Sequence, residues 1–186
     1  MTSIDPKDAA QALSDIERIV ERVRRSRTYH IASLMMILWG ILVFAGNIAT
    51  FAWPHYGGYI WIGVNVAGVA GSFAVSVFQL PGTVGRSFDR RMAMAFLLFF
   101  GFGLLCSTVL GHFGPREMGA FWPIYFMLIY CIAGLWFGLA FVAIGLGITI
   151  LTLIGYFFVT GFAFLLWMAA VNGGGLILGG LWMRRS

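Results

Sequence analysis

The chain has 186 residues, 60% of them hydrophobic and 10% charged, with a formal net charge of +5 and a mean hydropathy of +0.90. A soluble domain is about 45–50% apolar and about 25% charged, and a chain this short lacks the interior to hide so much apolar surface from water. These values exclude a soluble globule, a disordered chain and a disulfide-rich secreted fold, and they point to an all-α, polytopic integral membrane protein.

Residues 1–30 are polar and read as a cytoplasmic amphipathic helix. Asp5 before Pro6 suits an N-cap followed by proline at the first helical position. Ala9, Ala12, Leu13, Ile16, Ile19, Val20 and Val23 recur at helical spacing and form one apolar stripe. Acids dominate the start and arginines the end, as the helix dipole favours. Three roles fit this segment. It can lie on the inner leaflet with Arg22, Arg24, Arg25 and Arg27 against anionic headgroups. It can pair protomers as a short coiled coil, since Ala9, Ile16 and Val23 stand seven apart. It can dock a soluble protein. With no apolar h-region in these residues, no cleaved signal peptide is expected.

About 20 apolar residues cross a hydrocarbon layer of ~30 Å. Apolar runs over about 31–53, 59–80 and 92–113 supply three such crossings, separated by a Pro54–Gly58 turn and a basic loop containing Arg86, Arg90 and Arg91. After the turn at Gly114–Glu117, the 66 residues from Met118 to Met183 carry no formal charge. That length suits three further crossings, near 119–137, 139–157 and 161–182. Residues 31–183 thus form a domain of six transmembrane helices, followed by a basic cytoplasmic tail, 184–186. With both termini cytoplasmic, eleven basic residues lie inside and one, Arg116, lies outside, the asymmetry that the positive-inside rule requires. A bacterial inner membrane is the simplest location.

No Asp, Glu, Lys or Arg falls inside an expected span. Ion-coupled carriers place ionisable groups at mid-membrane, so this speaks against charge-driven transport. The polar groups of interest are Asn47, Asn65 and Asn172. Asn47 and Asn65 sit on neighbouring spans and need partners, either each other or backbone. Asn172 opens an Asn-Gly-Gly-Gly run in which Gly173 and Gly174 weaken the helix. That run is either a broken helix lining a solute path or a face for close packing. Small residues in register at Gly63, Ala67 and Gly71, at Gly134 and Gly138, and at Gly175 and Gly179 mark helix contacts. Gly68, Ser72 and Ser76 make a parallel stripe in span two, which suggests that span two is central and packed on two sides.

His55 and His112 would share the outer face, but two histidines without a third ligand make a weak metal site. Cys106 and Cys131 read as small core residues. Arg116 and Glu117 read as a surface salt bridge or a solvated turn. There is no phosphate loop, nucleophile elbow, HExxH or paired acidic motif, and no catalytic residue, cofactor or nucleic-acid surface is expected. The resulting expectation is a small non-enzymatic membrane protein embedded in lipid, an interaction or regulatory module that associates with itself or with a protein partner. The alternatives are a channel for a small neutral solute along Asn47, Asn65 and Asn172, and a membrane enzyme acting on a lipid or quinone.

Overall fold

The structure, a computed structural model, describes residues 6–79, 90–111 and 113–185, and every regular element among them is helical. Helix α1 runs from Pro6 to Ala52, 47 residues, or about 70 Å at 1.5 Å per residue. The sequence places no glycine or proline between Lys7 and Trp39, the residues at which helices usually kink. The polar N-terminal helix and the first apolar run, expected as separate elements meeting near residue 30, are therefore one rod. Its apolar part is Tyr29–Ala52.

A single 3₁₀ turn, Pro54–Tyr56, leads into α2, Gly57–Gln79. Helix α3, Arg90–Leu105, continues into a widened π turn, Cys106–Leu110. Helix α4 spans Pro115–Phe137, and Gly138, at φ 128°, turns the chain into α5, Leu139–Phe158. A side chain at that φ would be strained. The last helical segment is built of three pieces: α6, Ala163–Met168; a π turn, Ala169–Gly174; and α7, Gly175–Arg185.

Five segments are long and apolar enough to cross a bilayer, namely Tyr29–Ala52, Pro54–Phe78, Pro115–Phe137, Leu139–Phe158 and Ala163–Arg185. The third run expected from the sequence appears as a shorter apolar stretch, Leu97–Val109. The expectation of six long spans thus meets five long helices and one short one.

The α6–α7 segment, and not α2, holds the centre. Half of its apolar window is buried, against 11% for α2. It packs between α1 on one side and α5 on the other, with α4 beyond α5 and α2 on the outer side of α1. Helix α3 meets α4 through aromatic side chains, with Phe99 stacked on Tyr125 and Phe100 on Trp122. The core joins Met36 of α1, Met127 of α4, Phe141, Ile144 and Ile148 of α5, and Leu176 and Met183 of α7.

Glycine explains why the last segment is central. A Cβ at Gly173 would lie 2.5 Å from Phe44 Cβ and 2.7 Å from its Cα, and one at Gly180 would lie 2.9 Å from the Ser33 carbonyl oxygen. In return, a Cβ at Gly40 of α1 would lie 2.9 Å from the Gly173 carbonyl oxygen. The two backbones touch along this line. On the α5 side, Gly175 meets Ile148 and Gly179 meets Ile144. Span two contributes differently from its expected role. Gly68 accepts the Trp39 ring and Gly71 accepts Leu38, whereas Gly63 has nothing within 4 Å and Ala67 is exposed. Gly134 meets Val142 and Phe141 at the α4–α5 contact.

Gly155 of α5 carries the Trp167 ring directly against its backbone, whereas Gly147 of the same helix faces open space. Gly155→Ala should overpack and destabilise by about 1–3 kcal/mol. Gly147→Ala should be neutral or stabilising by up to about 1 kcal/mol, because alanine is the better helix former. Thermal unfolding of the detergent-solubilised variants separates the two, and equal melting temperatures would contradict the packing described.

Candidate functional site

The polar side chains inside the helices are mostly satisfied by their own backbone. Asn47 Nδ2 donates to the Val43 carbonyl at 2.9 Å and Asn65 Nδ2 to the Trp61 carbonyl at 2.8 Å. Thr50, Ser76, Ser107, Thr108 and Thr149 donate in the same way to carbonyls three or four residues back. Such bonds satisfy a hydroxyl or amide without a neighbouring helix. Asn47 and Asn65 therefore take the backbone alternative, each on its own helix.

Asn172 differs. It is 3% exposed and sits in the π turn of the central segment. Its Oδ1 accepts from the fully buried Thr152 Oγ1 of α5 at 3.5 Å, and its Nδ2 faces Met168 Sδ at 3.5 Å. The Thr152 contact is long for an O–H···O bond, and the sulfur is a weak acceptor at an ordinary distance. The glycine run does not break the helix. The chain widens by one π turn and resumes α geometry at Gly175, with φ −60° and ψ −42°. A widened turn alters the i→i−4 ladder, and such turns concentrate at functional positions. Gly173 faces α1 as a packing surface, and Gly174 has nothing within 4 Å. Of the five residues expected along a solute path, Asn172 and Gly173 lie at the junction of α1, α5 and the last segment, while Asn47 and Asn65 keep to their own helices.

Ser33 Oγ is the opposite case. It is fully buried on α1 and has no hydrogen-bond partner among the described residues. It lies where α1 and α7 come close at Gly180.

Arg116 occupies a site that the sequence pattern does not suggest. It donates to the carbonyls of Tyr156 and Val159 at the end of α5. Its guanidinium lies 4.7 Å from the Phe164 ring centroid and 5.4 Å from that of Tyr156. The last carbonyls of a helix have no partner within it and carry its negative dipole end, so a cation held between two rings satisfies both demands. The arrangement replaces the expected ion pair with Glu117 or solvated turn. At the opposite end of the α4–α5 pair, Tyr29 of α1 donates through its hydroxyl to the Phe137 carbonyl at 2.9 Å.

Three further contacts escaped sequence reasoning. Trp39 Nε1 donates to Ser72 Oγ at 3.1 Å, Trp167 Nε1 to the Leu151 carbonyl at 2.9 Å, and the Tyr125 hydroxyl to the Phe99 carbonyl at 3.0 Å. The available signal was a tryptophan or tyrosine away from a span end, whose N–H or O–H needs a partner in hydrocarbon.

His55 is exposed in the 3₁₀ turn, and His112 lies outside the described residues. Among the described residues, no three His, Cys, Asp or Glu side chains come together. Cys131 sits at the α4–α5 contact, 2.8 Å from where a Gly145 Cβ would be. Arg22, Arg24, Arg25 and Arg27 lie on α1, with side chains outside the described part of the structure.

Arg116→Met should lower stability by about 2–4 kcal/mol, because it leaves two helix-end carbonyls unpaired, and Arg116→Lys should recover part of the loss. Ser33→Ala should raise stability by about 1 kcal/mol, since it removes an unsatisfied buried hydroxyl. Thermal or denaturant unfolding in detergent measures both, and a stabilising Arg116→Met or a destabilising Ser33→Ala would refute these assignments. No family model, curated protein or solved structure matches the chain.

Proposed function

We propose that the protein is a non-enzymatic multi-pass module of the cell's inner membrane that works by associating with a second copy of itself. Six crossings with both termini in the cytoplasm fit best. Residues 90–110, taking α3 and its π turn together, span about 32 Å and are long enough for the short crossing. This count gathers the arginines of the N-terminal helix, the 81–91 loop and the C-terminus on one side, in line with the positive-inside rule.

The observation that carries the reading is the uncovered flank of α2. Gly63, Ala67, Ala70 and Ala74 fall at i, i+4, i+7 and i+11, and all four are exposed. Small residues in this register allow close approach of a second helix, and here no described residue buries them. The long α1 adds support. Its residues 6–28 extend about 35 Å beyond the apolar part, and Leu13, Ile16 and Ile19 on it are exposed. A straight helix that continues a membrane span does not also lie flat in the headgroup layer, which favours a protein contact for the stripe over a lipid one. The burial of Asn172 and the local bonding of Asn47 and Asn65 favour association over solute conduction.

Self-association in native membranes can be read by subunit counting or by cross-linking. The double change Gly63→Leu with Ala67→Leu should abolish it and leave the melting temperature within about 0.5 kcal/mol of wild type in stability terms, as for other surface substitutions. Deletion of residues 1–27 alone should weaken it. Association unaffected by either change would refute the reading, and solute uptake blocked by Asn172→Leu would favour a channel instead.

A further inference from the structure

A groove of about 310 Å³ runs along the outside of the bundle between α5 and α7. Gly147, Gly175 and Gly179 contribute no side chain to it, and Leu151, Leu178 and Trp182 line it as well. Every lining residue is apolar. The two helices are antiparallel here, since Gly175 meets Ile148 and Gly179 meets Ile144. One end of the groove therefore lies at Leu151 and Gly175, and the other at Trp182.

The Trp182 end has a different chemistry beyond it. Arg185 lies three residues on from Trp182, on the same helical face, and is exposed, whereas Arg184, two residues on, points to the opposite face. A hydrocarbon channel that ends in a tryptophan and a cation matches the order of parts in an anionic phospholipid, from acyl chain through interface to phosphate. A second copy fits this face poorly. A two-fold contact brings the same patch of each protomer together, and would set Arg185 against its own equivalent.

We infer that this groove is a binding site for an anionic phospholipid, with one acyl chain lying along α5 and α7 and the phosphate held by Arg185. The site needs only that these helices lie in a bilayer, and it stands apart from the association surface on α2.

Native mass spectrometry of the full-length protein in detergent, supplied with phosphatidylglycerol or phosphatidylcholine of the same acyl chains, tests the site. Wild type should retain phosphatidylglycerol in preference to phosphatidylcholine. R185A should lower that retention by about fivefold and abolish the headgroup preference, and R184A, on the opposite face, should change it less. Gly147→Leu, which fills the groove from a position with nothing within 4 Å, should reduce retention of both lipids, and Gly147→Ala should reduce it less while melting like wild type. The inference is overturned if both kinds of variant retain lipid as wild type does. It is also overturned if the arginines alone matter, which would mean headgroup adsorption without the groove. A change in oligomeric state on Gly147→Leu with unchanged lipid retention assigns the groove to a second copy and overturns it as well.

Discussion

Helices in a bilayer gain little by hiding from lipid, which is as apolar as their own side chains, so they hold together only where they approach closely. This protein meets that constraint with one helix that is glycine-lined on two faces. Gly173 and Gly180 admit α1, and Gly175 and Gly179 admit α5. Because four glycines within eight residues serve two neighbours, the α6–α7 segment is the centre of the bundle although it is far in sequence from α1. Helix α2 follows from α1 and α4 from α5, each one layer further out.

The outer contacts share a device. In an α-helix a side chain covers the turn before its own Cα. A glycine therefore leaves bare the carbonyl four residues back. Gly155 uncovers the Leu151 carbonyl for the Trp167 indole, and Gly103 uncovers the Phe99 carbonyl for the Tyr125 hydroxyl. At the α1–α2 contact the Trp39 ring lies over Gly68, and its N–H reaches Ser72, one turn further on. In each case one aromatic side chain supplies both the packing and the hydrogen bond. Tyr29 and Arg116 do the same for the helix ends, where carbonyls lack partners by geometry.

The helical, membrane-like character of the chain was legible because apolar windows and flanking charges are properties of contiguous residues. The packing was legible only in part. Pairs such as Gly175 and Gly179 stand out at a spacing of four, but the backbone contact with α1 uses Ser33, Gly40, Gly173 and Gly180, which repeat at seven and pass unnoticed in a search for fours. The stripe at Gly63 and Ala67 looked like interior packing because spacing reports a shared face and not what covers it. Arg116 looked like part of a surface turn because its neighbours are Gly114, Pro115 and Glu117, whereas its partners lie 40 and 43 residues away. Nor does periodicity reveal whether a joint separates two helices that follow each other without a breaker.

That missing joint has a mechanical meaning. Helix α1 has no kink-forming residue from Lys7 to Trp39, and Gly40, the first glycine it meets, is already pressed against Gly173. A pull or twist applied near Leu13 is not absorbed along the way. It reaches the backbone contact beside Asn172 and the widened turn of the central helix, which couples the far end of α1 to the middle of the bundle.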